Sequence, residues 1–163
     1  VETEQIVHDA STSSHSHGLY TSYTQMRGSI PLFWSQDQGP SGMNPKPPVV
    51  INRADPYASA AASHFNKLMR RFGTPVVVLN LVKRKETKPR ESILFREFNM
   101  AIKYLNIHLP KEHQIQHIAF DMARVLHKLH GNVLGFLEQI SEECIQATGF
   151  FYAGRLRGSK FQI

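Results

Sequence analysis

Thr74–Val82 reads TPVVVLNLV, and its reading decides the fold class. A short continuous apolar run rich in β-branched residues is the pattern of a strand covered on both faces, which in practice means a central strand of a parallel sheet. Parallel neighbours need crossover segments, so helices should flank the run on either side. Upstream, Asp55 offers an N-cap oxygen, Pro56 fits the first helical position, and Gly73 stands where a left-handed residue would end a helix. Between them Ala58, Ala61, Ala62, Phe65, Leu68, Met69 and Phe72 fall at helical spacing on one face, so the stripe is expected to be buried.

Downstream, a second helix is predicted from about Glu91 to Asn106. Leu94, Phe98, Ala101, Ile102 and Leu105 form its inner face, Arg90, Glu97 and Lys103 turn outward, and Pro110 closes it off. Gln114–Phe120 (QIQHIAF) alternates as a further strand. Asn132–Thr148 forms a third helix with Val133, Leu137, Ile140 and Cys144 as its stripe and Gly149 as its stop, and Phe150–Tyr152 opens one more strand. Alternating helix and strand is the order of an α/β domain with a mainly parallel sheet.

The first third has a different character. Thr3–Val7 and Leu19–Trp34 are rich in Thr, Tyr, Ile and Phe, and the polar STSSHSHG stretch between them has turn composition, so a hairpin is expected. The run QDQGPSGMNPKPP holds four prolines and two glycines and is read as an extended connector, with a subdomain boundary there. The organisation expected is thus residues 1–48 as the end of a β-rich subdomain, 49–152 as the start of an α/β one, and 153–163 as a divergent tail.

The chain of 163 residues is 41% hydrophobic and carries a net charge of +6. That composition argues against a wholly disordered chain and tilts toward an anionic partner such as phosphate, nucleic acid or a membrane surface. The lone Cys144 forms no internal disulfide, which makes a cytosolic location the default. No apolar run is long enough to span a bilayer and the opening VETEQIVHDA lacks a signal-peptide layout, so membrane contact would be peripheral. A first residue of Val rather than Met, with a strand starting almost at once, suggests a piece of a larger protein.

Ligands of open α/β sheets collect beyond the carboxyl ends of the strands. The segment leaving that end of TPVVVLNLV is KRKETKPR, which makes Lys83, Arg84, Lys85, Lys88 and Arg90 the candidate phosphate-binding residues. Arginine grips phosphate oxygens through paired hydrogen bonds and lysine acts as a mobile point charge. Headgroup or membrane-surface recognition is the functional reading, and a solvated charged loop is the alternative. A cysteine-based phosphatase needs an arginine six residues after its nucleophile, but Phe150 stands six after Cys144, which is read as a buried small hydrophobe. His113 with His117 and His127 with His130 have helical ligand spacing, but neither pair has Cys or carboxylates nearby to complete a zinc set. GxxxxGK[ST] and GxGxxG both fail, and basic residues interleaved with exposed aromatics, the mark of nucleic-acid binding, are lacking.

Several stretches resemble the Sac-domain phosphoinositide phosphatases, in order along the chain from Val1 to about Phe151. They are TEQIV at Thr3–Val7, RGSIPLFWSQ at Arg27–Gln36, PKPP at Pro45–Pro48, HF at His64–Phe65, RRFGTPVVVLNLV at Arg70–Val82, PRE at Pro89–Glu91, YLN at Tyr104–Asn106 and FDM at Phe120–Met122. RGSIPLFWSQ is the most specific of these, because its mixture of aromatic, glycine and polar residues does not arise from generic α/β patterning. VETEQIV and MNPKPP look more like the polyphosphoinositide phosphatases of endosome and vacuole, the Fig-four type, than like the endoplasmic-reticulum enzymes. The resemblance implies a partial Sac domain and removal of a phosphate from phosphatidylinositol phosphates, namely the 5-phosphate of phosphatidylinositol 3,5-bisphosphate. It also implies a cytosolic membrane face, phosphoinositide headgroups as ligands, and a lipid kinase and a helical-repeat scaffold as partners; no cofactor or metal is expected. The family's CxxxxxR motif lies downstream of the matched region and is absent here, so the chain alone is expected to be inactive; the other reading is a non-catalytic phosphoinositide or membrane-binding module. The closing RLRGSKFQI departs from the family pattern, and Phe120 stands where many members have Trp.

Overall fold

The structure is a computed structural model that describes residues 2–9, 19–37, 47–128 and 133–153. These fall into two compact units. The first comprises described residues 2–9, 19–29 and 149–153, and the second 30–37, 47–128 and 133–148.

In the first unit, β1 (Glu2–Asp9) and β2 (Leu19–Met26) form the expected antiparallel hairpin, running in register from Glu2 opposite Met26 to Asp9 opposite Leu19. The cross-strand pair His8 and Tyr20 stacks with ring centroids 4.3 Å apart. A short strand near the end of the chain, Phe151–Ala153, pairs antiparallel with β2 and not with the α/β part. Its helix-strand order had suggested a continuation of the parallel sheet; its partner is instead the Tyr20–Ser22 edge of the hairpin. The polar turn between the hairpin strands lies outside the described residues.

The second unit opens on Ile30–Phe33, a tight run of bends in which Leu32 N–H donates to the Ile30 carbonyl (2.9 Å) and the Trp34 indole donates to the same oxygen (3.0 Å). These bends turn Ile30 and Leu32 toward the core and leave Phe33 beneath the Arg53 guanidinium, 3.7 Å from the ring centroid. Then β3 (Trp34–Gln36) pairs antiparallel with β4 (Val49–Ile51). The proline-rich run was expected to mark a boundary, but the strands on either side of it bond to each other, and the compact units divide between Ser29 and Ile30.

Helix α1 (Ser59–Phe72) begins later than Asp55 and Pro56 suggest. Asp55–Ala58 forms a turn closed by Ala58 N–H to the Asp55 carbonyl (3.0 Å), with Pro at its second position, and Ala58 takes the left-handed conformation at φ 50°. Asp55 still caps the helix, from outside: its carboxylate accepts from the Ser59 hydroxyl (2.8 Å) and the Ala60 amide (3.1 Å). Gly73 ends the helix at φ 82°, its N–H donating to the Met69 carbonyl (2.9 Å). Ala61 and Phe65 are buried and Leu68 and Met69 pack against the core, whereas Phe72, the last residue of the helix, is 45% exposed under the Arg71 guanidinium.

The decisive strand is β5 (Val77–Asn80). It pairs in parallel with β6 (Gln116–Ala119), joined to it by α2 (Glu91–Ile107) and a 3₁₀ turn at Lys111–His113. The parallel pairing was legible, but coverage on both faces was not correct: Leu79 and Leu81 are 38% and 56% exposed. Phe98 is buried against Phe65 (centroids 6.3 Å apart), and Ala101, Ile102 and Ile115 complete the core beneath Val76 and Val78. Asn106 fixes where β6 starts, since its side chain donates to the Ile115 carbonyl and accepts from the Ile115 amide, both at 2.9 Å. A short helix with no counterpart in the sequence reading, α3 (Met122–Lys128), follows β6; α4 (Val133–Thr148) then carries Val133, Leu137, Ile140 and Cys144 half-buried on one face.

Partial burial draws the Asp55 carboxyl upward, but hydrogen bonds from Ser59 and Ala60 and the charge of Arg53 outweigh it and hold the group below its ordinary value. Asp55→Ala should therefore destabilise the protein by about 1 kcal/mol in urea unfolding at neutral pH. The difference is present above the unfolded carboxylate value and fades as pH falls through the folded one; a variant as stable as wild type would remove Asp55 from the capping role.

Candidate functional site

The parallel pairing puts the carboxyl ends of β5 and β6 on one rim, where two loops leave side by side. From β5 runs the basic loop, residues 81–90, and from β6 the short turn Phe120–Asp121 into α3. Two of the rim's polar side chains, Asn80 and Asp121, are buried at 3% and 9% exposure, and both are committed to holding the loops. The Asn80 carboxamide oxygen accepts the Val82 N–H (3.0 Å). Asp121 accepts the Arg84 N–H with one oxygen and the Arg124 N–H with the other, each at 3.2 Å, so one carboxylate caps α3 and pins the basic loop.

On the far side of the loop, Glu86 reaches the start of α2. Its carboxylate accepts the N–H groups of Arg90 (2.9 Å) and Ser92 (3.0 Å), while Glu91 accepts from the Lys83 amide (3.3 Å). Partial burial pulls Glu86 upward, but the Ser92 and Arg90 donors and the Lys83 charge prevail and keep it ionised below its ordinary range. Two of the amides that this helix N-terminus would offer to an anion, those of Arg90 and Ser92, are thus already met by the chain's own carboxylate. An anion at this rim is therefore left chiefly to side chains.

The five cationic candidates are distributed unevenly. Lys83, Arg84, Lys85 and Lys88 are exposed and Arg90 is half-buried just before α2. Arg84 alone of the five lines an open groove of ≈ 360 Å³ together with Pro89, Ser92, Ile93, Phe95, Arg96 and Asn99. Its guanidinium sits 5.5 Å from the Phe95 ring centroid. Arg96, on α2, brings a second guanidinium to the groove and pairs with Glu97 at 3.2 Å. Arg96 is not singled out by the charge run because it lies within the helix, nearly two turns beyond Arg90; its spacing from Ser92 and Asn99 on one helix face is the available signal.

The histidines separate into different environments. The His113 ring meets the Thr74 hydroxyl at 2.6 Å and His117 meets Asn80 at 3.1 Å, so the pair does not share a ligand. The His127 side chain and His130 lie outside the described residues. Burial raises the Cys144 thiol above its ordinary value and the neighbouring Glu143 adds to the effect, the opposite of what a thiolate nucleophile requires.

Residues 1–127 match the SacI homology domain. The chain belongs to the SacI homology domain family. It is 47% identical over 158 residues to the polyphosphoinositide phosphatase of Schizosaccharomyces pombe, covering 93% of this chain and 19% of that protein. To the phosphatidylinositol-3-phosphatase SAC1 of Arabidopsis thaliana it is 41% identical over 155 residues, covering 95% of this chain and 17% of the relative. The phosphatidylinositide phosphatase SAC2 of Danio rerio matches 58% of the chain at 38% identity. This SacI homology chain spans about a fifth of the length of the first two relatives.

The stretches by which the SacI homology chain resembles its family acquire physical roles here. YLN supplies the Asn106 clamp on β6, FDM supplies the Asp121 tie, and Phe120, 3% exposed, fills core space where its ring acts through packing. Among the described residues no helix is long and apolar enough to cross a membrane.

Replacing Glu86 with Ala should lower stability at neutral pH by about 1 kcal/mol, as loss of a side-chain helix cap does. The gap between wild type and variant closes as pH falls through the lowered Glu86 value. Urea midpoints that stay parallel from neutral to acidic pH would contradict this role.

Proposed function

We propose that this chain is the scaffold and lipid-facing part of a phosphoinositide phosphatase that hydrolyses a phosphate from phosphatidylinositol phosphates, the 5-phosphate of phosphatidylinositol 3,5-bisphosphate being the bond attacked. Lys83, Arg84, Lys85, Lys88 and Arg90 meet the headgroup or the surrounding anionic surface. The observation that carries this reading is the position of the basic loop at the carboxyl end of a parallel strand, with Arg84 beside Arg96 in an open groove. The names of the two relatives, a polyphosphoinositide phosphatase and a phosphatidylinositol-3-phosphatase, supply the substrate class. The hairpin unit belongs to the protein's β-rich part, and the unit that opens at Ile30 begins its catalytic part. The setting is the cytosolic face of endosomal or vacuolar membranes, with a lipid kinase and a helical-repeat scaffold as partners.

Catalysis itself belongs elsewhere in the protein. The sequence contains no CxxxxxR, and Cys144 is half-buried with a raised thiol value. The chain alone is a binding piece, and it should release no phosphate from phosphatidylinositol 3,5-bisphosphate. Release that is abolished by Cys144→Ser would show the opposite.

Binding is tested by co-sedimentation with phosphatidylcholine vesicles containing phosphatidylinositol 3,5-bisphosphate. A basic residue near an anionic surface contributes roughly 1 kcal/mol, so changing Lys83, Arg84, Lys85 and Lys88 to Gln together should weaken binding by at least about tenfold. Unchanged binding would mean that the loop is ordinary solvated charge.

A further inference from the structure

The basic loop is attached to the sheet through a side chain that is itself held by a titratable one. Asn80, the last residue of β5, is buried, and its backbone carbonyl accepts the Phe120 N–H (2.9 Å) while its carboxamide oxygen accepts the Val82 N–H (3.0 Å). With that oxygen taken, the amide nitrogen is the atom facing His117 Nε2 at 3.1 Å, and because it donates, Nε2 must be unprotonated. His117 sits on β6, paired in register with Val78, and its ring is edge-on to Phe98 (5.2 Å) and tilted against Phe95 (5.8 Å).

We propose that Asn80 and His117 form a latch that positions the loop carrying Lys83–Arg90, and that the latch holds only while the His117 ring is neutral. A proton on Nε2 converts the acceptor into a donor facing another donor, so the carboxamide must turn, and turning it withdraws the oxygen from the Val82 amide. The loop's first tether is then lost. The second tether, the Asp121 carboxylate on the Arg84 amide, remains, so release is local and not a global opening.

The surroundings of His117 favour the neutral ring. α2 presents the Phe95 and Phe98 rings, β5 presents Asn80, and the loop contributes the Arg84 guanidinium, which shares the Phe95 ring from 5.5 Å. Burial first, and then the Arg84 charge, depress the His117 value below that of a free histidine. By linkage the neutral-ring contribution is fully present above the unfolded histidine value and is lost as pH falls below it toward the folded one. Arg84 also lines the groove, so one of the residues proposed to meet the ligand is the charge that His117 senses.

This inference rests on the reading of the basic loop as an anion site for its consequence, but not for its test. Amide hydrogen exchange is followed at Val82, with Phe98 in α2 as a reference for global opening, at about pH 7.5 and about pH 5. In wild type, Val82 protection should fall on acidification by about three- to tenfold more than that of Phe98, the worth of one side-chain hydrogen bond. His117→Gln, whose carbonyl oxygen accepts from Asn80 without titrating, should keep Val82 protected at both pH values, and His117→Ala should leave it weak at both. Val82 protection in wild type that tracks Phe98 at every pH overturns the latch, and this arm needs no variant to fold. In the vesicle assay at about pH 7.5, His117→Ala should bind several-fold more weakly than wild type and His117→Gln should restore binding. Equal binding by all three, with wild type bound, overturns the positioning role. Absence of vesicle binding by wild type overturns the anion-site reading, while the exchange data still decide the latch.

Discussion

The parallel pairing of β5 with β6 is the constraint on which the second unit depends. Two parallel strands cannot be joined by a tight turn, so the chain must cross back through α2, and that crossover carries the Phe98, Ala101 and Ile102 face that closes the core over Phe65. Asn106 then sets the register, because its carboxamide bonds both the N–H and the carbonyl of Ile115 immediately before β6. A shift of one residue would break this clamp and turn His117 away from Asn80. Pairing, core and rim are therefore one arrangement.

What makes the rim a candidate site is that its polar side chains, of which Asn80 and Asp121 are buried, are spent on the loop. Asn80, Asp121 and Glu86 satisfy backbone amides along the basic segment and at the start of α2, where Glu86 takes the Arg90 and Ser92 amides. A carboxylate at a helix start competes with any external anion for the same amides. Recognition then falls to guanidinium and ammonium groups, of which Arg84 and Arg96 share a groove with the Phe95 ring.

Much of this was legible in the residues. β-branched density at Val76–Val78 gave the parallel strand, the spacing of Leu94, Phe98, Ala101 and Ile102 gave α2 nearly to its ends, and Gly73 gave the stop of α1. Local patterns failed where tertiary bonds decide. Asp55 looks like an N-cap because its carboxylate does serve the first turn, but the intervening Pro56–Ala58 turn displaces it from the position that spacing suggests. Apolar density at Leu79 and Leu81 does not say whether a neighbour covers them, and a charge run such as KRKETKPR hides that its Glu86 is a cap. The pairing of Phe151–Ala153 with β2 joins residues from opposite ends of the sequence, which no periodicity encodes.

The central claim is that an inositol phosphate is met by side chains at this one rim. Titrating the soluble headgroup, inositol 1,3,5-trisphosphate, into isotopically labelled protein and following each backbone amide tests it most directly. The account predicts saturable shifts gathered at residues 82–96 and at His117–Asp121. Shifts spread evenly over exposed lysines and arginines, or gathered on the β1–β2 hairpin with the rim unmoved, would contradict it.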